Sequence, residues 1–467
     1  MTIVKKIKRK RKRIKRTFSI IKKSNLDVFN KIFRILSWLL PGLVLKRWIV
    51  TSAIGLITSL LGIAIWTNLR PLYWLIETFF WLMTGLTSIF PVSILGPFIL
   101  FIGLLLICLG QNRSINSIQK ALVPQKETLL VDALRVNSKL SRGPNIVAIG
   151  GGTGLSTLLK GLKNYSSNIS AIVTVTDDGG SSGILRKQLG VQPPGDIRNC
   201  LAALSNEEPT LTRLFQYRFS GGGGLEGHSF GNLFLSALTT ITGSLEKAVQ
   251  ASSQVLSVQG QVIPATGTDV MLWAELEDGE KIFGESLIGK SVKPISRIGC
   301  LPENPPALKN AIEAIKEADL IVLGPGSLYT SLLPNLLVPE IVEELLKNNS
   351  PKIYISNLMT QPGETDGLDV YQHIKSIEKQ LFNFGVNTRI FNAILSQGEF
   401  EGSSLIDYYR SRGAEPVICN KKRLVSEGYH VLQAPLYSKR ITPTLRHDYR
   451  RLARAVMYMY KKIKKAN

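Results

Sequence analysis

Ile146-Val-Ala-Ile-Gly-Gly-Gly-Thr-Gly-Leu-Ser-Thr157, answered downstream by Thr174-Val-Thr-Asp-Asp-Gly-Gly-Ser-Ser-Gly183, decides how this chain folds. Ile146 to Ile149 read as a strand buried on both faces. Gly150, Gly151, Gly152 and Gly154 then turn it into a helix whose apolar face is Leu155, Leu158, Leu159 and Leu162. Amide hydrogens at such a helix start have no intrahelical partner and attract an anion. A second apolar run, 172–175, carries Asp177 and Asp178 to the crevice expected above a parallel sheet. Together the two segments point to a nucleotide-like ligand.

Outward from there, helical patterns cover about 196–217 and 229–253, and short β-rich runs separated by glycine at about 255–300 read as a hairpin insertion. Strand 320–323 enters Gly324-Pro325-Gly326-Ser327, and strand 353–356 enters residues 357–365. Repeated strand, glycine turn and helix predict an α/β fold: a Rossmann-like, doubly wound, mostly parallel sheet with a β-rich insertion. The last helix, about 443–465, ends in Lys461, Lys462, Lys464 and Lys465 and is expected against a membrane surface.

The formal charge of +23 is concentrated at the two ends. Residues 1–47 carry +15 and residues 437–467 carry +9, which leaves the middle of the chain at −1. A nucleic-acid protein places its basic footprint on the folded domain, so this distribution favours anionic lipid and argues against nucleic acid. From Trp48 to Leu69 no residue is charged, and a second charge-free run lies between Glu77 and Arg113. These runs predict a transmembrane helical hairpin over 48–110, with spans at about 48–69 and 92–109. The basic flanks put both ends, and the soluble domain, on the cytoplasmic side of the cell inner membrane. Residues 1–47 are then a basic cytoplasmic tail, 111–143 a polar linker, and 144–467 the nucleotide-binding domain with its basic C-terminal helix.

The four cysteines and four histidines are dispersed without metal-binding or redox spacing, which excludes a disulfide framework and a zinc cluster and suits a reducing compartment. Asp177 and Asp178 are the candidate metal residues, and Mg²⁺ is the cofactor they would take; ribose hydroxyls or a base edge are the other ligands they could reach. Asp196 caps the helix opened by 193–199, with Arg198 and Asn199 directed at a phosphate. His228 and Asn232 open another helix between Gly227 and Gly231 and suggest close backbone approach to a ligand. Gly324, Gly326 and Ser327 form a second anion cradle, and Thr360 and Gln361 add donors at the same rim. With Gly150–Gly154 and Thr153 these make the nucleotide and phosphate set; no catalytic residue can be named. Gly284 to Ser291 has the spelling of an ATP-binding loop, but it lies in the β-rich insertion and Pro294 stops the helix that should follow.

On the loop at 150–154, on 176–183, 193–199, 228–232, 324–327 and 360–365, the chain from about 145 to 456 resembles the YvcK-like gluconeogenesis factors, relatives of the CofD-type 2-phospho-L-lactate transferases. The resemblance implies a Rossmann-like domain that binds a nucleotide sugar of the UDP type and supports cell shape and wall synthesis during gluconeogenic growth. Partners implied are that nucleotide sugar, cell-wall synthesis proteins and a second copy of the chain. The transferase branch implies instead an Mg²⁺-dependent transfer of a phospholactyl group. The 193–199 segment follows the regulator pattern and not the transferase one. A nicotinamide oxidoreductase is disfavoured because neither count from Gly150 nor from Gly152 completes the dinucleotide fingerprint.

Overall fold

The computed structural model describes residues 45–67, 70–89, 91, 93–94, 96–106, 109–110, 130–206, 209–291, 293–400, 404–437 and 445–466. The basic tail and most of the expected linker therefore lie outside the described residues. The chain divides into two compact units, 1–138 and 139–467.

In the first unit, helices α1 (Leu45–Trp66) and α2 (Arg70–Ile89) expose many large apolar side chains, Leu61, Trp66, Trp74, Phe80 and Trp81 among them. Among the described residues no helix is long and apolar enough to cross a membrane, so the expected two-span hairpin is not supported. Freedom from charge is not the same as apolarity. Ser and Thr punctuate α1, with Thr58 and Ser59 donating back to the carbonyls of Ile54 and Gly55. Helix α2 carries both Arg70 and Glu77 in the interval between the two expected spans.

The second unit opens with α3 (Leu130–Ser141), β1 (Ile146–Gly150), α4 (Gly152–Leu162) and β2 (Ile169–Val173). Four helices follow: α5 (Gly180–Leu189), α6 (Gly195–Leu204), α7 (Pro209–Gln216) and α8 (Phe230–Thr242), then α9 (Leu245–Val255) and β3 (Gln261–Pro264). The insertion is β4 (Met271–Leu276), β5 (Lys281–Phe283), α10 (Glu285–Ile288) and β6 (Ile295–Leu301). After α11 (Lys309–Lys316) and β7 (Leu320–Leu323), a π turn (Leu328–Leu332) and a 3₁₀ turn (Leu333–Leu337) lead into α12 (Pro339–Lys347). The chain ends with β8 (Lys352–Ile355), α13 (Val370–Phe382), β9 (Ala393–Gln397), α14 (Ser404–Arg410), α15 (Lys421–Ser426), β10 (His430–Ala434) and α16 (Tyr449–Ala466).

The main sheet has seven strands in the order β10-β9-β8-β7-β1-β2-β3, and every pair is parallel. Strands buried on both faces need continuous apolar runs, and β1 and β7 supply them. The β-rich insertion is a separate antiparallel sheet, β5-β4-β6. The run at 261–264, read from sequence as part of that insertion, is instead the parallel edge strand beside β2. From β1 the chain builds outward to β2 and β3, and from β7 it builds the other way. Beta1 and β7 are thus neighbours at the point where strand order reverses, with Ile149 opposite Leu323. Ligands bind above the carboxyl ends of strands at such a switch point, and both glycine turns leave the sheet there.

Candidate nucleotide cleft

The two glycine turns touch. A Cβ on Gly154, in the first turn of α4, would collide with the Pro325 carbonyl and stand 3.2 Å from the Gly326 nitrogen. Gly152 has a φ of +63°, a left-handed backbone that glycine adopts without strain. Ser331, on the π turn after the second cradle, lies against Gly151 and Gly152. A third turn joins them: Gln361 Nε2 donates to Ser327 Oγ at 2.8 Å, and Thr360 Oγ1 accepts from the Glu415 amide at 2.8 Å. Above these turns lies a cleft of about 460 Å³.

Of the residues expected at the ligand, Gly151, Gly152, Thr153, Gly154, Asp177, Gly326, Ser327, Thr360 and Gln361 line this cleft. Gly150 does not; it is the last residue of β1 and is buried in the sheet. Gly324 sits behind the second cradle, with a φ of +83° that turns the chain out of β7. Arg198, Asn199, His228 and Asn232 also stand outside the lining and form a polar cluster of their own. Ser181 Oγ lies 3.0 Å from His228 Nδ1, Asn232 Nδ2 donates to Ser181 Oγ at 3.1 Å, and Arg198 Nη2 donates to Asn199 Oδ1 at 2.9 Å.

The two adjacent aspartates diverge. Asp177 faces the cleft while its Oδ1 accepts the Gly179 amide at 2.9 Å. Asp178 Oδ1 accepts the Ser286 amide at 2.8 Å, which ties the insertion to the sheet. Among the described residues no group of three or more His, Cys, Asp or Glu is arranged to hold a metal ion. The two expected metal residues therefore have different partners, Asp177 at the cleft and Asp178 tied through Oδ1 to α10.

Asp196 departs from its expected role as well. It is the second residue of α6, behind Pro194, and its carboxylate reaches back to the first cradle instead of capping its own helix. A Cβ on Gly151 would stand 2.6 Å from Asp196 Oδ2, and the carboxylate accepts the Gly152 amide. Burial and the charge of Asp177 push its pKa up to about 7, against the Gly152 bond and Arg198. Glu285, brought to the cleft by the insertion, is pushed up to about 8 by burial and then by Asp177, Asp196, Asp178 and Glu364. Crowded carboxyls of this kind retain protons near neutrality, which lessens their repulsion of an anion and makes them donors.

Tyr409, Leu445, Arg446 and His447 complete the wall. Arg446 is the one cation among the described lining residues, and the Leu445 amide donates to Tyr409 Oη at 3.0 Å, fixing the segment that carries it. Burial pushes the His447 pKa down to about 4, so its imidazole is neutral, and its Nε2 is enclosed without a partner. Helix α16 brings this segment in by packing on α4, where a Cβ on Gly161 would strike the Tyr449 carbonyl.

The comparisons with known proteins agree with this architecture. Residues 146–437 match the family model described as 2-phospho-L-lactate transferase CofD. A gluconeogenesis factor of Bacillus subtilis is 44% identical over 322 residues, 69% of this chain and 100% of its own. A Nostoc relative whose name also reads gluconeogenesis factor is 50% identical over 423 residues, 91% of this chain and 92% of its own. A crystal structure of a Bacillus halodurans protein superimposes with a TM-score of 0.64 at 45% identity, covering 68% of this chain and 99% of that one. The chain belongs to the CofD family. Within it, this protein stands with the gluconeogenesis factors.

Proposed function

We propose that the cleft binds a nucleotide sugar of the UDP type and that the protein is a regulator, reading that ligand to support cell shape and wall synthesis during gluconeogenic growth. The observation that carries the reading is the convergence of the two glycine turns at the strand switch point. Amides of both turns and the Arg446 guanidinium can meet a diphosphate. The volume suits a small-molecule ligand, for which pockets run from roughly 300 to 1,000 Å³. The Tyr409 ring, held by the Leu445 amide, offers a flat apolar surface to a base or sugar, and Asn357, Thr360 and Gln361 offer donors and acceptors at its rim. Calorimetric titration of the full chain with UDP-glucose tests the reading: one saturable site per chain supports it, and no saturable heat with any UDP-sugar contradicts it.

The first unit supports a membrane location by adhesion. Its helices expose indole and phenyl rings, and the basic 1–47 segment attracts anionic headgroups by roughly 1 kcal/mol for each cation near the surface. We assign the protein to the inner face of the cell membrane on this basis. Sedimentation with phosphatidylglycerol vesicles should retain the chain at low salt. Equal recovery with neutral phosphatidylcholine vesicles would remove the electrostatic part of the argument.

A further inference from the structure

The cluster left outside the cleft has the composition of a site in its own right. Arg198 leaves α6 and crosses the start of α8, where only a glycine admits it: a Cβ on Gly231 would lie 2.9 Å from its Cγ and Cδ. Its Nε is enclosed without a partner, and its Nη2 is bonded to the neutral Asn199 amide. Among the described residues it forms no ion pair. Burial lowers its pKa, and so does Arg218, a second guanidinium on the hairpin that carries His228. Asp196 and Asp177 oppose this from a distance, but the first accepts the Gly152 amide and the second the Gly179 amide. A guanidinium beside another cation and against the positive end of a helix is an arrangement that a buried counter-anion stabilises. Asn232, the residue after Gly231, donates to Ser181 at the start of α5, and Ser181 is bonded in turn to His228.

We propose that Arg198, Arg218, Ser181, His228 and Asn232, none of which lines the nucleotide cleft, form a second oxyanion site that takes a phosphoryl group. The hydroxyl, the imidazole and the side-chain amide supply hydrogen-bonding groups, and the two guanidiniums supply charge, the combination that phosphate oxygens select. The phosphoryl group belongs to a second molecule and not to the ligand in the cleft, and competition with UDP-glucose tests that assignment.

The test uses the full chain with inorganic phosphate as the probe, followed by calorimetry or by ³¹P line broadening. Saturable phosphate binding is expected, unchanged by saturating UDP-glucose. Arg198→Gln should weaken phosphate at least tenfold while leaving UDP-glucose within twofold, and Arg446→Gln should do the reverse. Arg218→Gln, at an exposed side chain that donates to the Gly227 carbonyl, should weaken phosphate about threefold, and melting temperatures of both variants close to the parent's show that they fold. Absence of saturable phosphate binding would overturn the proposal, as would displacement of phosphate by UDP-glucose or equal loss of both ligands in Arg198→Gln. Phosphate binding without any UDP-glucose binding would leave this site standing and remove the cleft reading instead.

Discussion

The cleft, lined by Asp177 and Asp196, and the polar cluster around Arg198 pose opposite electrostatic problems. In the cleft, backbone amides share the lining with carboxyls, so the proposed anion is held only if those carboxyls are neutralised or occupied elsewhere. Asp196 does both, with a pKa near neutrality and a hydrogen bond from Gly152. In the cluster, guanidinium charge is buried without a carboxylate bonded to it, and an anion would relieve the strain. The contrast teaches that neighbouring loops of one sheet can offer an anion backbone amides in one place and side-chain cations in the next.

The sharpest way to break the contrast is to part the two glycine turns. Gly154→Ala pushes a methyl group into the Pro325 carbonyl, so we expect destabilisation by about 1–3 kcal/mol and loss of UDP-glucose binding by more than a hundredfold, with phosphate binding in the cluster retained. Thermal melting and calorimetry check the two effects. Arg446→Gln, which removes the cation lining the cleft but none of the packing, should weaken UDP-glucose by roughly ten- to a hundredfold, on the scale of a lost charge-assisted hydrogen bond of about 1.5–3 kcal/mol.

A smaller effect sharpens the role of Asp196. Its folded pKa of about 7 lies above the ordinary aspartate value of 3.8, so the folded state holds the proton more tightly. Its contribution to stability is therefore present at low pH, is lost as pH rises from about 4 to 7, and stays lost above that. Asp196→Asn keeps an acceptor for Gly152 and cannot ionise. It should match the parent at pH 4 and exceed it at pH 8 by on the order of 2 kcal/mol, a figure kept low because the cleft is open to water. Melting curves at the two pH values decide it; equal stability at pH 8 would mean that the carboxylate is well solvated. Smallest of all, Tyr409→Phe leaves the Leu445 amide without its acceptor and should weaken UDP-glucose by a few-fold, for about 0.5–1.5 kcal/mol.

How much was legible follows from which interactions are local. Strand β7 was readable to the residue and β1 to within one, because a buried parallel strand is a continuous apolar run. The two cradles were readable from their glycines, since a tight turn after a strand admits few other residues. Strand β3 was not, because a short run ending in Pro264 carries no mark of which sheet it joins. Glu285 reaches the cleft from the insertion, and Arg446 and His447 reach it because α16 packs on α4. Both are long-range arrangements, and at sequence level Arg446 counted only as one more charge in a basic end. Asp196 was misread for a related reason: its position beside Pro-Gly fits a cap, and nothing local shows that its carboxylate meets Gly152.

The central claim, that both glycine turns clasp one diphosphate, is tested most directly by amide hydrogen exchange of the full chain with and without saturating UDP-glucose. Slowed exchange is predicted at 151–154 and at 326–327 together, with the same dependence on ligand concentration. Protection of one turn alone, or of neither, would contradict it.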